Sequence, residues 1–342
     1  MAKRRLIQAI NDTLFEEFRR DSSVILFGED VEISLFGDTR GLSQEFGPAR
    51  IRNTPISEAL ITGMALGAAA AGHRVIAHLM FSNFMYTGFD SIANQASKLR
   101  YMTGGQVNFP VTYIAAYGGG KSIAAHHSDT PYPLLMNLGG INVVVPSTAF
   151  DAKGLLKTCI RGNDPSFFLE AGGRGGEMGE VPDEDYTIPL GKGVIRIEGA
   201  DVTIVAIGSM ATTALQTAEL LKAQGIGCTV IDPRWVVPVA KTVLTEASAH
   251  RLVVTIEDGV KVGGIGTRIR QDMREAQIDT ALNEIGLPDE FLEHASRNEI
   301  LERVGLTAKQ ISHDIVAQVL GAKVPHARKL ADEPSSDLSE RQ

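Results

Sequence analysis

Cysteine is nearly absent from this 342-residue chain: Cys159 and Cys228 are the two, far apart and in no Cys-x-x-Cys pair. That excludes a disulfide framework and an iron–sulfur cluster, and it reads as a reduced intracellular protein, placed in the cytoplasm. Positive charge is also short. Against 41 Asp and Glu stand 33 Lys and Arg, a formal charge of -8 with no basic stripe, so nucleic acid is not an expected partner. Long apolar runs are missing too: the longest, Ala59 to Gly72, is too short and too rich in small residues to span a bilayer. The basic N-terminus runs into an amphipathic pattern with acidic residues, so it is not read as a signal peptide. No Gly-x-Ser-x-Gly turn surrounds Ser128, which removes a serine-hydrolase reading.

What is present is the composition of an ordinary globular protein, long enough for two domains. Leu6, Ile7, Ile10, Leu14, Phe15 and Phe18 recur at helical spacing, predicting an opening helix over 4–20. Strand candidates follow at 24–27, 75–79, 111–114 and 142–145, with helices opening at Glu58, over 90–102 and after Thr148. A Gly-rich and acidic seam at 171–190 interrupts the series. Beyond it come strands at 202–207, 228–231 and 252–256 with helices between them, and Gly263-Gly-Ile-Gly266 reads as a tight strand-to-helix turn. The pattern predicts an α/β protein of two doubly wound domains, residues 1–185 and 190–322, each with a mostly parallel sheet covered by helices. The Pro-, Ser- and Glu-rich end, 323–342, reads as a disordered tail.

Three groups could carry chemistry. Pro55 forces Thr54 into an extended conformation and sets Ser57 and Glu58 at a helix start. A carboxylate there suits the helix dipole, but the Ala/Gly segment behind it predicts close packing, with Glu58 carried into the interior and in need of a partner. Phe81, Phe84, Tyr86 and Phe89 form an aromatic cluster, ordinarily a core feature. His126 and His127, consecutive in a Gly/Ala/Ser loop, suit proton transfer near neutral pH; a metal is the rival use, with no third ligand at a zinc spacing.

Phe27-Gly-Glu-Asp-Val31, Asn53-Thr-Pro-Ile-Ser-Glu58, Ala96-Ser-Lys-Leu-Arg-Tyr-Met-Thr-Gly-Gly105, Gly118-Gly-Gly120 with His127-Ser128, and Val143-Val-Val-Pro-Ser-Thr-Ala-Phe-Asp-Ala-Lys-Gly154 together resemble one family. It is the beta subunit of the thiamin-diphosphate-dependent decarboxylating component of 2-oxoacid dehydrogenase complexes. The resemblance covers roughly residues 4 to 325. It implies a pyrimidine-binding domain followed by a transketolase-type C-terminal domain. It also implies that Glu58 hydrogen-bonds the aminopyrimidine ring of the cofactor, that Phe84 packs on that ring, that Glu29 lies at the cofactor, and that His127 moves protons or binds carboxylate. The family's magnesium-diphosphate motif, Gly-Asp-Gly followed by an Asn pair, is not found in the sequence. The resemblance therefore implies an alpha subunit that holds diphosphate and magnesium, an alpha-2-beta-2 heterotetramer, and a lipoyl-bearing acyltransferase as next partner.

Departures from the family pattern sit beside the matches. His126 replaces a usual Gln, Asn137 a usual His, and Phe168-Leu-Glu is followed by Ala-Gly-Gly-Arg-Gly-Gly176 rather than His and then Leu-Tyr. The family's potassium loop maps to Cys159, Asn163 and Asp164, with Gly162 where an Asp is usual, which makes potassium a candidate ion. The second half, through Val230-Ile-Asp-Pro-Arg-Trp235 and Gly286-Leu-Pro-Asp-Glu-Phe-Leu-Glu-His294, resembles deoxyxylulose-phosphate synthase. Three readings follow: oxidative decarboxylation of a 2-oxo acid, or cleavage of acetoin, with acyl transfer to lipoamide; a split carboligase that passes the same carbanion to an aldehyde; and a non-catalytic scaffold.

Overall fold

In the computed structural model, which describes residues 1–119 and 123–321, the alternation of strands and helices resolves into two main sheets and a small one. The tail expected over 323–342 lies outside the described residues. The strands in chain order are β1 (Ala2–Arg5), β2 (Val24–Gly28), β3 (Ile51–Asn53), β4 (Arg74–Phe81), β5 (Val111–Tyr117), β6 (Asn142–Val144), β7 (Ser166–Ala171) and β8 (Met178–Val181). They continue as β9 (Val194–Ile197), β10 (Val202–Ala206), β11 (Cys228–Asp232), β12 (Trp235–Val237), β13 (Leu252–Val260) and β14 (Ala281–Leu287).

The first sheet has the order β12-β6-β7-β5-β4-β2-β3, parallel throughout except where β12 joins β6. The second has the order β14-β13-β10-β11-β9, with β9 alone antiparallel. Period-two alternation feeds two cores through the first sheet. Val75, Ala77 and Leu79 of β4 pack on the side of the helix Glu58–Ala70, while Ile76 packs with the helices Leu6–Arg20 and Ala149–Arg161. The first of these cores runs on into the second half through Val205, Ile231, Val253 and Ile269, so both halves share one apolar interior.

Two elements differ from the sequence expectation. Residues 2–5 are not helical: β1 pairs antiparallel with β8, and the helix opens at Leu6. The single helix expected over 90–102 is broken into a wide turn Ser91–Ala96 and a short helix Leu99–Met102. The cause is local, since Ser97 Oγ and Lys98 Nζ both donate to the Ala93 carbonyl, at 2.7 and 2.5 Å, and take it out of the regular ladder. Thr148 does cap its helix as expected, its Oγ1 accepting from Asp151 N at 3.1 Å.

Candidate functional site

The carboxyl ends of parallel strands form one edge of a sheet, and that is where loops can hold ligands. Here β2 runs into Glu29, β3 leads through Pro55 to Glu58, β4 to the aromatic turn Ser82–Gly88, β5 to the histidine segment, and β7 to Gly172 and Gly173. Two close backbone approaches hold this edge together. A Cβ on Gly28 would lie 2.3 Å from the His78 carbonyl, and one on Gly88 would lie 2.3 Å from Thr62 Oγ1 and 2.7 Å from the Glu58 carbonyl.

Glu58 occupies the first turn of its helix as the sequence predicts, but it is not carried into the interior: it is half-buried, and Ala59 and Leu60 beside it are exposed. The tight packing expected of the Ala/Gly helix occurs from the second turn on, through Ile61, Thr62, Ala65 and Leu66, and leaves Glu58 at the helix mouth. Thr87 Oγ1 donates to Glu58 Oε2 at 3.1 Å and lies equally close to the Phe84 carbonyl, which ties the carboxylate to the aromatic turn. Glu29 is the more buried carboxylate, 8% exposed, and its Oε1 has no hydrogen-bond partner among the described residues. Burial and the nearby Glu58 charge push its pKa up, against the Ser57 backbone N–H that draws it down.

His127 packs edge-on against Phe81 and Phe84, with ring centroids 4.6 and 5.5 Å away, and its buried Nδ1 has no hydrogen-bond partner among the described residues. Its neighbour His126 is exposed. The structure therefore brings Glu58 and His127 against the turn Ser82–Gly88, which carries Phe84, with Glu29 beside Glu58. Next to them opens a cavity of about 260 Å³ lined by His127, Phe81, Phe36, Arg5, Glu170 and the glycine run that begins at Gly172. Glu29, Glu58 and Phe84 do not line it. Arg174, within the glycine run, turns away: it donates to the Gly208 carbonyl at 2.7 Å and to Thr212 Oγ1 at 2.9 Å, and pairs with Glu177.

Sequence reasoning missed a buried pair behind this edge. His78 Nε2 lies 2.8 Å from Asp38 Oδ2, and Met80 N donates to Nδ1 at 3.3 Å, which assigns the ring proton to Nε2. Burial pushes Asp38 up, but the facing His78 imidazole, with the backbone N–H groups of Asp38 and Thr39, outweighs it and holds the carboxyl low. Phe36 stacks over His78 at 6.2 Å and meets Phe81 at 5.3 Å, linking the pair to the cavity. The one sequence signal was a histidine inside an otherwise apolar strand.

The potassium loop does not fit an ion as folded. Arg74 Nη1 donates to the Ile160 and Gly162 carbonyls at 3.0 and 2.6 Å, and its Nη2 to Asn163 Oδ1 at 3.0 Å. Asp164 pairs with Arg100, and the Cys159 thiol is buried, pushed up to about 12. Arg74 thus takes the Asn163 side chain and Arg100 that of Asp164, Arg74 at a helix C-terminus where positive charge is favoured. Among the described residues no cluster of three or more His, Cys, Asp or Glu could hold a metal, and no helix is long and apolar enough to cross a membrane.

Two family models match the chain: the transketolase pyrimidine binding domain over residues 2–173, and the transketolase C-terminal domain over residues 191–311. The beta subunit of acetoin:2,6-dichlorophenolindophenol oxidoreductase from Bacillus subtilis is 42% identical over 265 residues, covering 73% of this chain and 78% of that one. The pyruvate dehydrogenase E1 component subunit beta of the same organism is 37% identical over 282 residues, covering 81% and 87%. The 1-deoxy-D-xylulose-5-phosphate synthase of Clavibacter sepedonicus is 42% identical over 293 residues, 84% of this chain but 43% of that enzyme. Among solved structures, a split gene transketolase described as an inactive beta4 tetramer superposes with a TM-score of 0.79 at 27% identity, covering 94% and 99%.

Proposed function

This chain belongs to the family of thiamin-diphosphate-dependent 2-oxoacid and acetoin dehydrogenase beta subunits, built from transketolase pyrimidine-binding and C-terminal domains, and on that premise we propose a specific division of labour. The chain holds the pyrimidine half of thiamin diphosphate. An alpha subunit supplies the diphosphate and magnesium sites in a cytoplasmic alpha-2-beta-2 heterotetramer, and the acyl group passes to a lipoyl-bearing acyltransferase. Residues 1–185 and 190–322 are taken as the two domains.

The observation that carries the reading is the meeting of Glu58, Phe84 and His127 at the turn Ser82–Gly88, with Glu29 beside Glu58 and polar atoms left over. The Glu29 Oε1 and His127 Nδ1 atoms are buried without partners among the described residues, as expected of groups waiting for a bound polar ring. When bound, thiamin diphosphate would supply a nucleophilic carbanion and an electron sink for decarboxylation. Glu58, open on one side and steadied by Thr87, holds a proton at the ring nitrogen. Glu29, its carboxyl pushed up by burial and by the Glu58 charge, stands beside Glu58. Phe84 gives the ring a flat apolar wall. His127, fixed edge-on by Phe81 and Phe84, moves a proton through Nδ1, and the apolar rings around it exclude water.

The test is co-expression with an alpha-type subunit, then a panel of 2-oxo acids and acetoin with thiamin diphosphate, magnesium and a dichlorophenolindophenol-type dye. Dye reduction that needs both chains supports the dehydrogenase; no dye reduction by any donor sinks it. The carboligase reading is favoured by the likeness to the synthase and to the split transketolase. It predicts an unreduced dye and a longer ketose or acyloin when an aldehyde is added.

A further inference from the structure

The segment that carries His126 and His127 leaves β5 at Tyr117 and ends at the helix Tyr132–Met136. Both of its ends are fastened to the other half of the chain, and Asp258, at the end of β13, is the common post. On the leading side a Cβ on Gly118, whose φ is +75, would lie 2.9 Å from Asp258 Oδ2. Arg297 donates through Nη1 to the Gly119 carbonyl, and the same nitrogen sits 2.8 Å from Asp258 Oδ2. Its Nη2 donates to Ser209 Oγ at 3.2 Å, and Ser209 Oγ donates to that same Asp258 oxygen at 3.0 Å. On the trailing side Thr130 Oγ1 donates to the Asp258 carbonyl at 2.5 Å, and Tyr132 OH to Glu257 Oε2 at 2.6 Å. Gly118 N donates to the Asp129 carbonyl at 2.8 Å and closes the neck between the two sides.

We propose that Arg297 is a positioning residue: by clamping the Gly119 carbonyl to the Asp258–Ser209 pair, it lets the C-terminal half set where the His127 imidazole stands. Arg297 does not line the cavity, and it acts through Gly119 and the adjoining Gly118–Asp129 bond, which leads back along the trailing side to His127. The planar guanidinium suits the task because one fork reaches a carbonyl, a carboxylate and a hydroxyl at once, which an ammonium cannot do with the same geometry. Asp258 is 5% exposed, so loss of its cation leaves a buried charge held by one serine. This inference rests on the reading of His127 as a proton-transfer group, and its test is chosen to separate the two.

Wild type, Arg297→Ala and Arg297→Lys are each assembled with the alpha-type subunit, and backbone amide exchange is followed by mass spectrometry without substrate. In Arg297→Ala, exchange in peptides covering Gly118, His127 and Ser128 rises by about tenfold or more, while β13 and the helix Ile265–Glu275 change by less than about twofold. Turnover falls by about tenfold to a hundredfold with thiamin diphosphate affinity nearly unchanged, the acid limb of the pH–rate profile moves, and Arg297→Lys recovers part of each. Exchange that stays at the wild-type level, or that rises equally across the second sheet, overturns the proposal. Because exchange needs no turnover, a complex that oxidises no 2-oxo acid still tests the clamp. Should Arg297→Ala fail to assemble, Ser209→Ala and Arg297→Lys, which both keep a cation beside Asp258, are expected to loosen the same peptides.

Discussion

Replacing Glu58 by Gln keeps the volume of the side chain and an oxygen for Thr87 Oγ1, now at 3.1 Å from the carboxylate, and removes only the ability to bind a proton. If Glu58 performs general acid–base work, the loss is about 10²–10⁴ in turnover, or about 3–5 kcal/mol of barrier. The folded state should hardly notice. Glu58 is half-buried at the first turn of its helix, so the lost dipole interaction costs about 0.3–1 kcal/mol, and removal of the charge that raises the Glu29 pKa offsets part of it. For a chain of this size that is about 2 °C in Tm or less. The assay is turnover of the best donor by the assembled complex, beside size-exclusion chromatography, thermal unfolding and titration with thiamin diphosphate. Turnover within about threefold of wild type, with assembly intact, refutes the role given to Glu58 and leaves the scaffold reading standing. A Tm lower by many degrees refutes the structural half of the reasoning, since it would mean that the carboxylate is a structural tie.

Gly88→Ala places a methyl 2.3 Å from Thr62 Oγ1 and 2.7 Å from the Glu58 carbonyl, so it should cost about 1–3 kcal/mol and cut turnover by shifting the helix start, read by unfolding and kinetics. Asp151, wholly buried, accepts from Arg234 Nη2 at 2.6 Å and also pairs with Arg196, so Asp151→Ala strands the Arg234 guanidinium, while Arg196 keeps Asp232, and should cost about 3–5 kcal/mol. By contrast Glu293→Ala, which breaks an exposed pair with Arg303, should change denaturant midpoints by no more than about 0.5 kcal/mol in equivalent stability. Burial raises the Glu257 carboxyl from 4.5 to about 7 against hydrogen bonds from Tyr132, Gly266 and Ile265, so its neutral form is favoured in the folded state. Its contribution, about 3 kcal/mol, is full below the unfolded pKa and lost as pH rises through about 7; Glu257→Gln should flatten that part of the stability–pH curve.

Much of the fold could be read along the chain because its causes are local. Alternating apolar residues gave strands that feed two faces, the Leu6 to Phe18 stripe gave the first helix, and Thr148 gave a cap that the structure keeps. The identities of Glu58, Phe84 and His127 were legible as a combination of short motifs. Their environment was not. Glu58 was expected inside because its helix is made of small residues, but the close packing begins at Ile61, one turn in, and leaves the helix mouth half-buried. The loop at Asn163 was expected to offer its oxygens to an ion, yet Arg74, 89 positions away, reaches them first.

By itself, then, the sequence determined the periodicities, the caps, the order of elements and the family to which they belong, since each depends on residues within a few positions of one another. Tertiary structure alone decided that β12 crosses from the second half to close the first sheet, that His78 and Asp38 meet behind the cavity, and that both ends of the His127 segment rest on Asp258. Those contacts join residues from 40 to 178 positions apart, and no local pattern encodes a pairing whose geometry exists only once the two cores have packed.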